Sequence, residues 1–423
     1  MHSNTPKFKQ RIEHPEDMVA ESGSIGARTA LDALLDLTRD PSRVTIKFDG
    51  TPSLIFGWDG NNFVLTDKSG FSAMRYDGMT TSPEAIRSML MGETGRKIKY
   101  SDYDQKLRRE RYANKIASLY EPLKRLVPKT VKGFLQGDLL WSVTPPVVNG
   151  NFEFGPLKIR YKVPVNSELG RRITDSTVGI VIHSVFQNKG DIESRSIGDI
   201  RSHLNSDPSV VVIPHTLRIT HPIVVPEAIV TTIDALIKQN SKQIDDIIAI
   251  GSDVPKLLKS YLAYRARIGD ADYTDAPREF IEWLSSEGKV SNETKSRIIA
   301  RLRANERGYN AFWITVQAIT KLKLYIKRQL DAVAGKGIHA EFSSRAAPEL
   351  IGRAGHEGFV ADTRFGKIKL VNRHDFMRQS DAYDGVFEDA SCGSTSAGGI
   401  ASVANPMGGV ISRTPNLFGY IPQ

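Results

Sequence analysis

The chain has a single cysteine, Cys392, among its 423 residues. A disulfide within the chain and any zinc site built from several thiolates are thereby excluded. No apolar run approaches the ~20 residues that a membrane-spanning helix needs. The first residues, Met1-His2-Ser3-Asn4-Thr5-Pro6-Lys7, carry no signal-peptide core. Several common catalytic motifs are missing too. The run Gly92-Glu93-Thr94-Gly95-Arg96-Lys97 lacks the spacing of a G-x-x-x-x-G-K-[ST] phosphate loop, and no G-x-S-x-G, H-E-x-x-H or EF-hand loop occurs. The nine histidines show no ligand spacing. No repeat of roughly 20–50 residues recurs. These absences leave a reducing, cytoplasmic setting as the expectation, with no membrane partner.

What is present is ordinary in bulk and basic in balance. At 40% hydrophobic and 25% charged, the composition is that of a soluble globular chain, long enough for two or three domains with real cores. Lysine and arginine number 57 against 48 acidic residues, giving a net charge of +9. That balance suits a polyanionic partner such as nucleic acid, and it equally suits a solvated basic surface.

Periodicity divides the chain. Ala27, Ala30, Leu31, Leu34 and Leu35 share one helical face across 23–39. Short alternating strands follow, including Asn62-Phe63-Val64-Leu65. A basic helical stretch over about 101–127 carries Lys106, Arg108, Arg109, Arg111, Lys115, Lys124 and Arg125. Its apolar positions Leu107, Ile116, Leu119, Leu123 and Leu126 suit a helix that covers a sheet better than one that grips nucleic acid. Strand patterning returns over 151–186, where Arg160 and Lys162 share a face. From 222 to 335 the chain reads as almost wholly helical, with segments at 226–240, 254–268, 277–286 and 311–334. The stretch after 380 is rich in Gly, Ser and Ala and reads as a flexible tail. The fold class is α+β.

The most telling segment is Lys47-Phe48-Asp49-Gly50, set between the strand residues Val44-Thr45-Ile46 and Ser53-Leu54-Ile55-Phe56. A lysine that ends a buried strand beside a glycine turn can hold its amine against a phosphate. Alone, K-x-D-G is common. It is followed in order by Thr66-Asp67-Lys68-Ser69-Gly70, Phe134-Leu135-Gln136-Gly137-Asp138-Leu139-Leu140, the run Val178–Phe186, Glu357-Gly358-Phe359-Val360 and Lys367-Ile368-Lys369-Leu370-Val371.

This ordered set resembles motifs I, Ia, III, IIIa, IV and V of the covalent nucleotidyltransferases: DNA ligases, RNA ligases and mRNA capping enzymes. The resemblance covers roughly residues 44–190 and 350–375, and Thr51-Pro52-Ser53-Leu54 brings it closest to RNA ligases. It implies a ligase-type domain of antiparallel sheets flanked by helices. That domain would be split into 1–200 and 346–380 around a mostly helical insertion, 201–345, with the tail at 381–423. The Gly/Ser/Ala tail also looks like that of large-phage proteins, which would mean host cytoplasm.

The implied reaction begins with Lys47 attacking the α-phosphate of ATP to give lysyl–AMP, and ends in sealed nucleic acid, RNA ahead of DNA. Lys367 and Lys369, on one face of a strand, would hold the phosphates. Glu357 would bind Mg²⁺, which takes few carboxylates and keeps its waters. Asp138 would serve the ribose or the metal. Asp49 and Gly50 would shape the nucleophile loop, Lys68 would touch a phosphate or stand as a plain turn lysine, and Phe186, with His183 as the alternative, would stack on the purine.

Three departures matter. Asp138 stands where the family has glutamate, and Pro52 where many DNA ligases have arginine. Only about fifty residues follow Val371, too few and too glycine-rich for the five-stranded barrel that DNA ligases and capping enzymes append. The alternatives are a DNA ligase or GTP-using capping enzyme of the same fold, and a catalytically silent relative that binds nucleotide or nucleic acid.

Overall fold

The computed structural model describes residues 12–156, 159–191, 194–217, 219, 222–268, 272–288, 290–334, 339–342 and 357–380, with 339–342 and 377–380 as backbone alone. The expected tail at 381–423, with Cys392, lies outside the described residues, as does the segment 343–356. The described residues form an α+β fold with three sheets.

The largest sheet grows from a hairpin. β2 (Ser53–Asp59) and β3 (Asn62–Asp67) pair antiparallel about Gly60-Asn61, where Gly60 adopts a positive φ of 59°. A glycine meets that demand without steric cost. β2 then pairs with β4 (Phe134–Trp141), and β4 with β8 (Val178–Phe186). β9 (Arg195–Ser196) adds to β8 antiparallel, whereas β10 (Val210–Val212) pairs with β8 in parallel. The sheet is therefore antiparallel except at β10.

Alternation gives this sheet two faces of different character. One face carries Leu54, Phe56, Leu135, Leu139, Ile180 and Ile182. It is covered by α3 (Pro83–Met91), α4 (Tyr103–Ala117) and α5 (Tyr120–Leu126), which bury Ile86, Leu90, Ile116, Leu123 and Leu126, with Leu119 from the turn between α4 and α5. The expected single helix over 101–127 is thus two, broken at Ser118-Leu119, and it does cover a sheet. Arg109, one of its basic residues, turns inward and donates from Nε to the Leu90 carbonyl at 2.7 Å.

The second sheet has three strands, β1 (Val44–Lys47), β12 (Gly358–Thr363) and β13 (Gly366–Val371), all antiparallel. Its apolar face, Ile46, Phe359, Ala361, Ile368 and Leu370, packs into a helical core. That core is built on α1 (Pro15–Arg39) and α12 (Glu306–Ala334), joined by α7 (Glu227–Gln239), α8 (Ser241–Ile248), α9 (Val254–Ile268), α10 (Ala276–Ser286) and α11 (Asn292–Ala304). Its centre is Trp313, ringed by Tyr261, Tyr273, Phe280, Tyr309 and Phe312. The helices between 227 and 334 therefore share one core with α1 and the β1–β12–β13 sheet.

α1 begins at Pro15, earlier than the apolar pattern from 23 suggests, because the helix is interrupted. Ser22 and Gly23 leave helical geometry, Gly23 at a φ of 59°. The helix restarts on Asp245 of α8, which accepts from the Ser24 N–H at 2.7 Å and the Ser24 hydroxyl at 2.8 Å. The register of the apolar face changes at that kink.

The third sheet runs β11 (His339–Phe342), β7 (Ile159–Pro164), β6 (Asn151–Phe154) and β5 (Val147–Val148). Its inner face, with Phe152, Phe154, Ile159, Tyr161 and Val163, meets Phe48, Leu140 and Val181. Five further helices or turns complete the description: α2 (Lys68–Phe71), α6 (Glu168–Thr174), α13 (Arg373–Ser380) and 3₁₀ turns at Pro41–Arg43 and Arg201–His203. Among the described residues, no helix is long and apolar enough to cross a membrane.

Candidate active site

The small sheet determines which lysines meet. Lys47 ends β1 opposite Gly358, and Thr45 lies opposite Val360, which in turn faces Lys369. Lys47, Lys369 and Lys367 therefore project from the face opposite the helical core, with Lys369 one row from Lys47. Lys367, paired with Asp362, sits two residues further along, about 7 Å away at strand spacing. The structure separates the two lysines in environment as well. Lys367 donates to the Ser194 carbonyl at 3.3 Å. Lys369 faces Lys47 and Glu357; burial, and then the Lys47 charge, lower its pKa.

Glu357 immediately precedes β12, so the Lys47–Gly358 register brings its carboxylate onto the Lys47 ammonium, and the two form a direct ion pair. Glu357 is nearly buried, while the Lys47 side chain stays 30% exposed. Burial pushes the Glu357 carboxyl up to about 7, against the pull of Lys47, with Asp49 adding to the rise. For Lys47, desolvation favours the neutral amine, but Glu357, Asp49 and Asp138 outweigh it and the pKa is raised. Lys47 is therefore a charged ammonium.

The loop after Lys47 is pinned from two sides. The Asp49 N–H donates to the Tyr161 hydroxyl at 2.7 Å, and Asp49 Oδ2 accepts from the Ile159 N–H at 3.2 Å. Phe48 rests on the Tyr161 ring, with centroids 5.5 Å apart. On the other side, the Thr51 N–H reaches the Leu139 carbonyl at 2.8 Å, and the Leu139 N–H reaches the Pro52 carbonyl at 3.1 Å. Gly50 is needed where the loop crosses β4: a Cβ there would lie 2.8 Å from that of Asp138.

Asp138 belongs to a polar patch on the open face of the large sheet. Its Oδ2 lies 3.4 Å from His183 Nε2. His183 Nδ1 is 3.1 Å from the Ser184 hydroxyl, which donates to Gln136 Oε1 at 3.0 Å, and Gln136 Nε2 donates to Ser53 at 3.1 Å. Burial works to raise the Asp138 pKa, but His183, Ser53 and Lys47 together hold it below the usual range. This patch lies between two apolar ones, Leu140 with Val181 on one side and Ile55, Val64, Phe71, Phe134 and Phe186 on the other.

Lys47, Asp49, Gly50, Asp138, Glu357 and Lys369 thus come together, and Lys367 lies at the margin. Lys68 begins α2 and is exposed, outside this cluster. Phe186 is 4% exposed, and its ring packs on Phe71 at 4.7 Å. His183 is the more open of the two stacking candidates.

Residues that sequence reasoning missed also face the cluster. Glu13 extends the small sheet by bridging Ile368, its carbonyl accepting from the Lys369 N–H at 2.8 Å. His14 follows, and burial, then Arg373, Lys323, Lys369 and Lys47 push its pKa well below 6.5. Arg373 is clamped by Asp17 through bonds of 2.7 and 3.1 Å. Strand alternation continued from Lys367 and Lys369 would have pointed to Arg373; nothing in the sequence marks His14 or Tyr161.

Glu357, Asp49 and Asp138 all act electrostatically on Lys47. Among the described residues, no three His, Cys, Asp or Glu side chains form a ready metal cage. This donor set fits a hard cation that brings its own waters and phosphate ligands, as Mg²⁺ does.

Residues 9–380 match the model of a family of unknown function, DUF6267, and the chain belongs to that family. No curated protein and no solved structure matches it significantly.

Proposed function

We propose that this member of the DUF6267 family is an ATP-dependent polynucleotide ligase of the RNA-ligase type, acting through a lysyl–AMP adduct at Lys47. The observation that carries the reading is the Lys47–Glu357 ion pair, formed across 310 residues of sequence with Lys369 one strand row away. Buried charges are costly unless they are used or fully compensated, and here one partner, Lys47, ends a strand with its side chain 30% exposed.

In the first step the Lys47 ammonium must lose a proton, and Glu357, in contact and titrating at about 7, is the acceptor within reach. Lys369 assists by disfavouring a second positive charge beside it. Lys47 Nζ then attacks the α-phosphorus of ATP: a P–N bond forms, the bond to the β-bridging oxygen breaks, and pyrophosphate leaves with the electron pair. Asp138 would hold Mg²⁺, with Glu357 joining it once its proton has passed to water; the ion supplies charge neutralisation at the phosphates when bound. The loop ties to Tyr161 and Leu139 keep Lys47 in line, and Asp138 with His183 offers polar contacts to the ribose.

In the second step an oxygen of a polynucleotide 5′-phosphate attacks the lysyl-bound phosphorus, and Lys47 departs as the amine. A 3′-hydroxyl then attacks the activated 5′-phosphate, a phosphodiester forms, and AMP leaves. The net charge of +9 supports a polyanionic substrate.

The test is incubation with α-phosphate-labelled ATP and Mg²⁺ followed by a denaturing gel, with labelled GTP in parallel. A pyrophosphate-sensitive adduct on the wild type and none on Lys47→Ala is the expected result. No adduct from folded protein, first freed of bound AMP by pyrophosphate, would overturn the reading.

A further inference from the structure

The loop Ser72–Gly78 presents a side chain that no fold requires in that place. Met74 at its tip is 98% exposed, although both ends of the loop are anchored in the core through Phe71 and Met79. An isolated exposed apolar residue is ordinary. What sets Met74 apart is how firmly the chain beneath it is held.

Three braces hold the loop. Asp67 accepts from the Gly70 N–H at 2.7 Å and from both terminal nitrogens of Arg96, at 3.2 and 2.9 Å. Arg96 Nε donates to the Tyr76 hydroxyl at 3.1 Å, and the Tyr76 ring lies so close over Gly95 that a Cβ there would meet it at 2.6 Å. Gly78 crosses Gly70 so tightly that a Cβ on Gly78 would fall 2.1 Å from the Gly70 carbonyl oxygen. Both ordering these residues and keeping the methionine in water cost free energy. A loop with no partner has no need of either.

The setting indicates the partner. Lys68 precedes the loop, Arg75 stands beside Met74, and Lys97 and Lys99 follow the bracing Arg96. All four are exposed, and among the described residues none is paired with a carboxylate. Asp67, at the base, lies opposite Leu54, and Ser53, the next residue, lies opposite Asp138. The loop therefore springs from the end of the large sheet that carries the candidate site. We infer that Met74 is a wedge that inserts between stacked bases of a nucleic acid, with Arg75 and its neighbouring lysines on the flanking phosphates. Apolar wedges of this kind, methionine among them, unstack a base step while cations hold the backbone. The inference rests on the polynucleotide part of the proposed function and not on the adduct chemistry.

The experiment follows fluorescence anisotropy of short labelled RNA, single-stranded or as a nicked duplex, across a salt series, together with 2-aminopurine placed near the end. Met74→Ser should weaken binding about tenfold, leave the salt slope unchanged and abolish the 2-aminopurine brightening seen with wild type. Arg75→Ala should instead reduce the salt slope by about 0.7–0.9. Both variants should melt as wild type does and form adduct at its rate. Wild-type binding by both variants, or no nucleic-acid binding by the wild-type protein, overturns the inference. Weakened binding in Met74→Ser with no adduct on any form upholds the wedge and overturns only the transferase reading.

Discussion

Lys47 lies directly opposite Gly358 in the small sheet, and this register places its ammonium on the Glu357 carboxylate. The pair has a consequence for stability that can be measured without substrate. The folded-state pKa of Glu357, about 7, stands above its ordinary 4.5. The stability this group contributes is therefore fully present below pH 4.5 and is lost as pH rises through about 7, a span worth about 3 kcal/mol. Glu357→Gln removes the titration, so the melting temperature of the variant should gain on the wild type between pH 4.5 and 8 in EDTA. Parallel melting curves across that range would show that Glu357 titrates normally.

The register also distinguishes the two strand lysines. Lys369 lies one row from Lys47 and is partly desolvated beside it, whereas Lys367 is drawn toward the Ser194 carbonyl. Lys369→Met should slow single-turnover adduct formation by about a hundredfold, the scale of one electrostatic group in a water-poor site. Lys367→Met should cost less than about tenfold. Equal losses would mean that the phosphates reach both lysines alike.

Tyr161 offers a cleaner test of how the nucleophile loop is held. Its hydroxyl accepts the Asp49 N–H, and both residues are buried. Tyr161→Phe leaves that donor unsatisfied, at a cost of about 1–3 kcal/mol. Because the hydroxyl holds the loop that carries Lys47, the rate of adduct formation should fall about tenfold while the KM for ATP stays near the wild-type value. A matched rise in KM with no change in rate would place Tyr161 at the nucleotide instead.

How much of this was legible beforehand follows from chain distance. The strand that ends in Lys47, the Gly-Phe-Val run after Glu357 and the Lys-x-Lys alternation are local patterns, and their order along the chain grouped them. Which lysine stands nearest Lys47 depends on the register between β12 and β13, which no local pattern encodes. Tyr161 reads as one more strand aromatic; its role exists only because the third sheet packs under Phe48. His14 precedes a helix whose apolar pattern emerges only after the kink at Gly23. The break of the long basic helix at Ser118-Leu119 leaves no mark in the sequence, because the apolar spacing passes through it unchanged.

The buried pair Lys323–Glu16 ties these distant parts together, and its removal gives the last prediction. Both side chains are 1% exposed, their atoms 2.7 Å apart, and burial lowers the Lys323 pKa despite Glu16. Lys323→Met leaves the Glu16 carboxylate buried without its cation and should cost about 3–5 kcal/mol. Adding Glu16→Leu removes the stranded charge and should return most of that loss, read as melting temperature. Glu16 opens α1, and two residues before it His14 faces Lys369 while Glu13 bridges β13. The single variant should therefore slow adduct formation as the start of α1 loosens, and the double variant should restore the rate along with the stability. Stability restored without the rate would mean that Glu16 itself, rather than the anchoring of α1, matters at the site.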